Sequence, residues 1–241
     1  MINGFQITFR NLSKWMISNG AALFAFTLPL HMLASSYSLA IWLLFTIFYL
    51  IIGGYVWTNF LLNLRDSKAI FLLVILYLLL ICGLFISDNI NEGVSKIEVS
   101  IPFIVAPFLF LINKDLIKIN VIFNAFIAGL SCSVVLSIIN LLIESNLTVD
   151  GFYADFDLFH HSSYYSMLMN IAIALFLFLH KKINFSSILR YIFIVSLSVL
   201  VFLISSKAGV IVLISLFFVK SIQVVKSSSG LYPKLFFLSF L

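Results

Sequence analysis

Apolar residues in this chain run in blocks. Stretches of Leu, Ile, Phe and Val are separated by short clusters of Lys, Asp, Asn, Ser and Gly, and each block is close to the roughly 20 residues that carry a helix across a bilayer. A strand of a membrane barrel would alternate apolar and polar positions, and there is little such alternation. The pattern predicts an all-α membrane protein, a polytopic bundle of about eight transmembrane helices near 19–34, 38–58, 69–86, 97–112, 119–143, 163–179, 187–204 and 208–222, with a ninth apolar run beginning at Leu235. The whole chain, 1–241, reads as a single transmembrane domain. Its first two helices are expected to form a tight hairpin through Ala34-Ser35-Ser36-Tyr37. The polar stretches 87–98 and 144–163 read as loops, the second lying between helices five and six. Pro29 in the first helix and Pro102 and Pro107 in the fourth remove backbone donors and predict kinks or breaks. Gly53, Gly54, Gly83 and Gly129 read as points of close helix contact.

Composition narrows the class further. With 63% apolar and 10% charged residues in 241, and a mean hydropathy of +1.19, the chain carries too much apolar surface for a soluble domain. Arg10 and Lys14 ahead of an apolar stretch look like the start of a signal peptide, but no small-residue cleavage site follows, so the first segment reads as a retained span. Cys82 and Cys132, far apart and each inside an apolar run, read as small packing residues in preference to a disulfide or metal pair.

Fourteen basic residues against nine acidic ones do not gather into a run, so no nucleic-acid partner is expected. They sort instead by side. From a cytoplasmic N-terminus, the helix count above places twelve of the fourteen Lys and Arg in cytoplasmic segments and seven of the nine acids on the opposite face. Lys96 and Lys207 are the exceptions. Lys96 lies between Glu92 and Glu98 and reads as a solvated loop charge. Lys207, in the short turn Ser205-Ser206-Lys207-Ala208-Gly209, would hold its ammonium at headgroup level, either snorkelling to the interface or meeting a phosphate. His31 stands near the same outer end of the first helix.

Candidate chemistry concentrates in the outer loop, which carries Glu144, Asp150, Asp155, Asp157, His160 and His161 and runs into Ser162, Ser163, Tyr164 and Tyr165. Neighbouring histidines diverge on a helix and no His-x3-His spacing occurs, so no metal is expected. A carboxylate that orients an imidazole could make a general base for a hydroxyl nucleophile. Alternatively the loop is only polar, with Phe152, Tyr153, Phe156 and Phe159 lying on the membrane surface and Ser162 or Ser163 capping helix six. There is no phosphate-binding glycine loop, serine nucleophile elbow or zinc-hydrolase motif. Any catalysis would then work by positioning and charge, and on a face without ATP an activated lipid-linked donor is the natural substrate.

At these residues the chain resembles the O-antigen ligase and O-antigen polymerase superfamily of bacterial membrane glycosyltransferases. The resemblance rests on the succession of spans with short loops, Pro29-Leu30, the turn Ile86-Ser87-Asp88-Asn89, the run from Pro102 to Phe108, the run from His161 to Met167, and Ile204-Ser205-Ser206-Lys207-Ala208-Gly209. Many relatives carry arginine where Lys207 stands, and a lysine there offers a point charge in place of a bidentate fork. The resemblance implies a multi-pass protein of the bacterial inner membrane that moves a glycan from undecaprenyl diphosphate to a sugar hydroxyl. The acceptor would be a lipid A-core or another glycan, with no cofactor. It implies that Lys207, with Ser206 and Tyr164, binds the lipid diphosphate, and that His161, with His160 and Asp157, orients or deprotonates the acceptor. Relatives continue through further helices and a large periplasmic loop, so the resemblance also implies the N-terminal part of such a protein, inactive by itself. Two other classes stay open on the residues alone: a transporter or flippase for a lipid-linked or anionic solute, gated by the outer loop, and a non-catalytic membrane subunit.

Overall fold

The computed structural model describes residues 2–51, 68–85, 90–143, 156, 161–179, 185–204 and 206–227. Every regular element among them is an α-helix: α1 Ile2–Thr27, α2 Met32–Ile51, α3 Lys68–Leu84, α4 Ile90–Ser100, α5 Pro102–Ile112, α6 Ile119–Ile143, α7 Ser162–Phe178, α8 Ser187–Leu203 and α9 Lys207–Ser227. A backbone surrounded by hydrocarbon must satisfy its own donors and acceptors, which a helix does within one segment. Three helices among the described residues are long and apolar enough to cross a membrane, at Met32–Ile51, Ile119–Ile143 and Lys207–Lys226, and shorter apolar helices lie at Ile70–Leu84, Pro102–Ile112, Ser162–Phe178 and Ser187–Leu203.

The bounds of α6, α7 and α8 fall within a residue of those expected from hydropathy. The N-terminal half departs from expectation. α1 begins at Ile2, well before residue 19, and ends at Thr27. The break expected at Ala34–Tyr37 lies instead at residues 28–31, where the amides of Leu30 and His31 both donate to the Thr27 carbonyl, at 3.0 and 3.2 Å. Pro29 has no N–H to continue the ladder, so it stops α1 where a kink was expected. The serines assigned to the hairpin belong to α2. They are at home there because a helical hydroxyl can bond back to its own helix, as Ser38 Oγ does to the Ser35 carbonyl at 2.8 Å.

Residues 90–100, expected to be mostly loop, form α4. Pro102 does not kink a longer helix but opens α5 in its first turn, where its missing donor has no partner to lose. Pro107 lies inside α5. Gly83 meets nothing within 4 Å, so it is not the close contact it was expected to be. Cys82 and Cys132 are both free and exposed, where packed positions were expected. Residues 52–58 of the second predicted helix, with Gly53 and Gly54, and the run from Leu235 lie outside the described residues.

The chain divides into two compact units. The first comprises Met1–Phe24 and Leu33–Lys118. Its core forms around Trp42, which is fully buried, with its ring edge-on to Phe110 at 4.8 Å and tilted against Phe24 at 6.0 Å. α1 can approach because Gly20 faces this residue, and a Cβ there would stand 3.3 Å from Trp42 Cα. One turn along α2, Thr46 Oγ1 donates to the Trp42 carbonyl at 2.9 Å. The same oxygen accepts from Asn113 Nδ2 at 2.9 Å, and that amide also donates to the Leu109 carbonyl. The buried Asn113 thus closes the end of α5 and ties it to α2, using side-chain bonds worth about 1 kcal/mol net each.

The second unit comprises Ala25–Met32 and Ile119–Leu241. Its central helix is α7, which packs against α6, α8 and α9. Accordingly α7 buries Tyr165, Leu168, Met169, Ala172, Ile173 and Phe176, which fall within an arc of about 140°. α6 crosses the Ala25–Met32 segment at Gly129, where an added Cβ would fall on the Phe26 carbonyl. At the C-terminal end of α7, Phe176 stacks on Phe193 at 5.6 Å and meets Phe185 edge-on. Lys220 Nζ of α9 donates to the Leu177 carbonyl at 2.8 Å, placing a cation at the negative end of the α7 dipole.

Candidate functional site

The second unit brings the starts of α7 and α9 together. Asn170 Nδ2 of α7 donates to the Gly209 carbonyl of α9 at 2.9 Å. Gly209 lies so near Ser166 that a Cβ would stand 2.5 Å from Ser166 Oγ and 2.6 Å from its Cβ. Eleven residues further along each helix, Lys220 reaches Leu177. Equal advances on both helices between two contacts mean that α7 and α9 run parallel, so their N-terminal ends lie on the same side. By helical rise His161 stands about 7.5 Å beyond the level of Ser166, and Lys207 about 3 Å beyond that of Gly209. Both expected site residues therefore emerge at one end of the pair.

Each helix start is capped by a side chain. His161 is the residue before α7 and has extended backbone angles, and its Nδ1 accepts from the Ser163 amide at 3.4 Å. The capping role expected for Ser162 or Ser163 thus falls to the histidine. In the neutral ring an Nδ1 that accepts leaves its proton on Nε2, so the exposed edge of His161 presents a donor. In this geometry the ring is set to hold an oxygen. Ser206 caps α9 in the same way, its buried Oγ accepting from the Gly209 amide at 3.3 Å. Lys207, the first residue of α9, is exposed. The two parallel helix starts turn free backbone N–H groups toward this end, beside the exposed Lys207, an arrangement that can meet a phosphate.

Tyr164 is 58% exposed on the first turn of α7 and makes no part of the α7–α9 seam. Its neighbour Tyr165 is the structural tyrosine: fully buried, its hydroxyl donates to Ser133 Oγ of α6 at 2.9 Å. Phe156, expected on the membrane surface, is buried instead, with its ring 5.7 Å from that of Tyr165. Asp157 and His160, with Glu144, Asp150 and Asp155, lie outside the described residues, as do Phe152, Tyr153 and Phe159. Among the described residues no three of His, Cys, Asp and Glu gather as a metal site would require.

Sequence reasoning gave Ser166 and Asn170 no role, and named Tyr165 only as one of the residues entering this helix. The spacing of Ser162, Ser166 and Asn170, four residues apart, was the available signal for a polar face on α7. A cavity of about 290 Å³ opens between α6, α7 and α8, lined by Ile127, Leu130, Val134, Ala172, Phe193 and Leu197.

These features define the class: among the described residues every regular element is helical, and three helices have the length and apolar composition of membrane spans, which suggests a membrane protein. No protein-family model, curated protein or solved structure matches the chain.

If the His161 ring serves mainly to close α7 and donate from Nε2, His161→Asn should keep most of the helix stability, since asparagine is a strong N-cap. His161→Ala should lose about 1 kcal/mol. Thermal unfolding of the two purified variants checks this, and equal midpoints would remove the cap.

Proposed function

We propose that the protein is a glycan transferase of the O-antigen ligase or polymerase type. In this reading it is a multi-pass protein of the bacterial inner membrane with a cytoplasmic N-terminus, and it acts at the periplasmic face. The sorting of twelve of fourteen basic residues to one side supports the orientation. The observation that carries the reading is the convergence of His161 and Lys207 at the N-terminal ends of two parallel, directly packed helices.

Lys207 and the α9 start hold the undecaprenyl diphosphate as it becomes the leaving group, neutralising charge that grows as the sugar–phosphate bond breaks. The Nε2–H of His161 orients the incoming sugar hydroxyl. Direct attack by that oxygen on the anomeric carbon forms the new glycosidic bond as the sugar–phosphate bond breaks, inverting the configuration, and the hydroxyl proton passes to the departing undecaprenyl diphosphate. The apolar cavity between α6, α7 and α8 is of a chemistry that suits part of a prenyl chain.

The test is reconstitution in proteoliposomes, by itself and together with the further membrane helices and periplasmic loop that the resemblance implies, with an undecaprenyl-diphosphate-linked glycan and a glycan or lipid A-core acceptor. Transfer of label to the acceptor in the second reconstitution, and none in the first, is the expected result. Movement of labelled lipid across the bilayer without transfer would replace this reading with that of a flippase.

A further inference from the structure

α4 reads Ile-Asn-Glu-Gly-Val-Ser-Lys-Ile-Glu-Val-Ser. At helical spacing Ile90, Val94, Ile97 and Ile101 fall within an arc of about 60°, while the charged positions of the sequence fall at other registers. Eleven residues span about 16 Å, roughly half a hydrocarbon core, and three of them are charged, so α4 is not a membrane span. Most of the apolar stripe is nevertheless uncovered: Ile90 is 62% exposed, Val94 39% and Ile101 44%, with Ile97 half-buried.

The helices that α4 packs against are α3 and α5. Both are apolar, and both expose large side chains such as Phe71, Leu79 and Phe103. The change from charged to wholly apolar sequence happens at a single residue. Ile101 is still helical, with φ −51° and ψ −43°, and Pro102 then begins α5, which has no charged residue. Such a step marks the edge of the hydrocarbon, and the proline frees the two helices from sharing one axis.

We infer that α4 is an interfacial helix, lying along the membrane surface with Ile90, Val94, Ile97 and Ile101 in the lipid and its charged positions among the headgroups. The exposed stripe is then continuous with the lipid-facing surface of α3 and α5. Its occupant is lipid, as for amphipathic helices held in the plane of a bilayer. The inference rests on the chain being a membrane protein and is independent of any catalytic role.

The experiment uses the full chain with Cys82→Ser and Cys132→Ser, carrying one nitroxide-labelled cysteine at a time, in vesicles of phosphatidylethanolamine and phosphatidylglycerol. Collisions with oxygen, which concentrates in lipid, are compared with those of a water-soluble nickel chelate. Ile90→Cys and Val94→Cys should favour oxygen several-fold, Asn91→Cys and Ser95→Cys should favour nickel, and Ile47→Cys on α2 serves as the lipid reference. The inference is overturned if all four α4 positions favour nickel while Ile47 favours oxygen, which would put α4 in water. Shielding of positions 90 and 94 from both reagents also overturns it, because a protein partner or second copy then covers the stripe. If Ile47 fails to favour oxygen, the membrane reading itself falls and the inference falls with it.

Discussion

Lys207→Ala is expected to lower glycan transfer by about two to three orders of magnitude, the usual effect of removing one group that stabilises developing charge. The protein should still insert in the membrane. The reason for that separation is structural. Lys207 is exposed at the first position of α9, and the cap that starts this helix belongs to Ser206. The hydrogen bonds that tie α9 to α7 are made at Gly209 and Lys220. Truncating Lys207 therefore removes a charge without removing a packing contact. Lys207→Arg keeps the cation and offers a fork to the phosphate, so it should retain transfer. Lys96→Ala, in α4, should leave transfer unchanged. Initial rates in the reconstituted assay decide the matter, and a Lys207→Ala rate equal to wild type would remove this residue from the mechanism.

Gly129→Ala is expected to destabilise the second unit by about 3 kcal/mol, at the upper end of what overpacking costs. The new methyl would occupy the position of the Phe26 carbonyl. Backbone cannot rotate away as a side chain can, so α6 and the Ala25–Met32 segment would have to separate. Gly83→Ala is the control. It adds the same atom to an apolar helix in open space, so it should be neutral or slightly stabilising through helix propensity. Thermal unfolding in detergent should show a large fall in midpoint for the first variant and none for the second. Similar midpoints for both would show that the α6 crossing tolerates separation.

The helices α6, α7 and α8 were legible because polar clusters bracket long apolar runs, and the cost of an unsatisfied backbone in lipid leaves a helix as the only solution. α1 and α4 were not, because their apolar residues are interleaved with polar ones and hydropathy averages that signal away. At the candidate site, His161 and Lys207 could be picked out as charged or titratable groups at the edges of apolar runs. Tyr164 was chosen over Tyr165 with nothing to separate them. Adjacent residues on a helix point about 100° apart, and which of the pair faces Ser133 depends on where α6 lies.

The sequence alone therefore determined the class of secondary structure and most of its bounds in the second unit, since those follow from local hydrophobicity and backbone hydrogen bonding. Tertiary structure decided the rest: that α7 and α9 run parallel, that Gly209 admits Ser166 at close range, and that Phe156 turns inward against Tyr165. Such facts depend on residues dozens of positions apart meeting in space. A hydrophobic run specifies that a helix is buried in lipid or protein, and is silent about which neighbour it will meet.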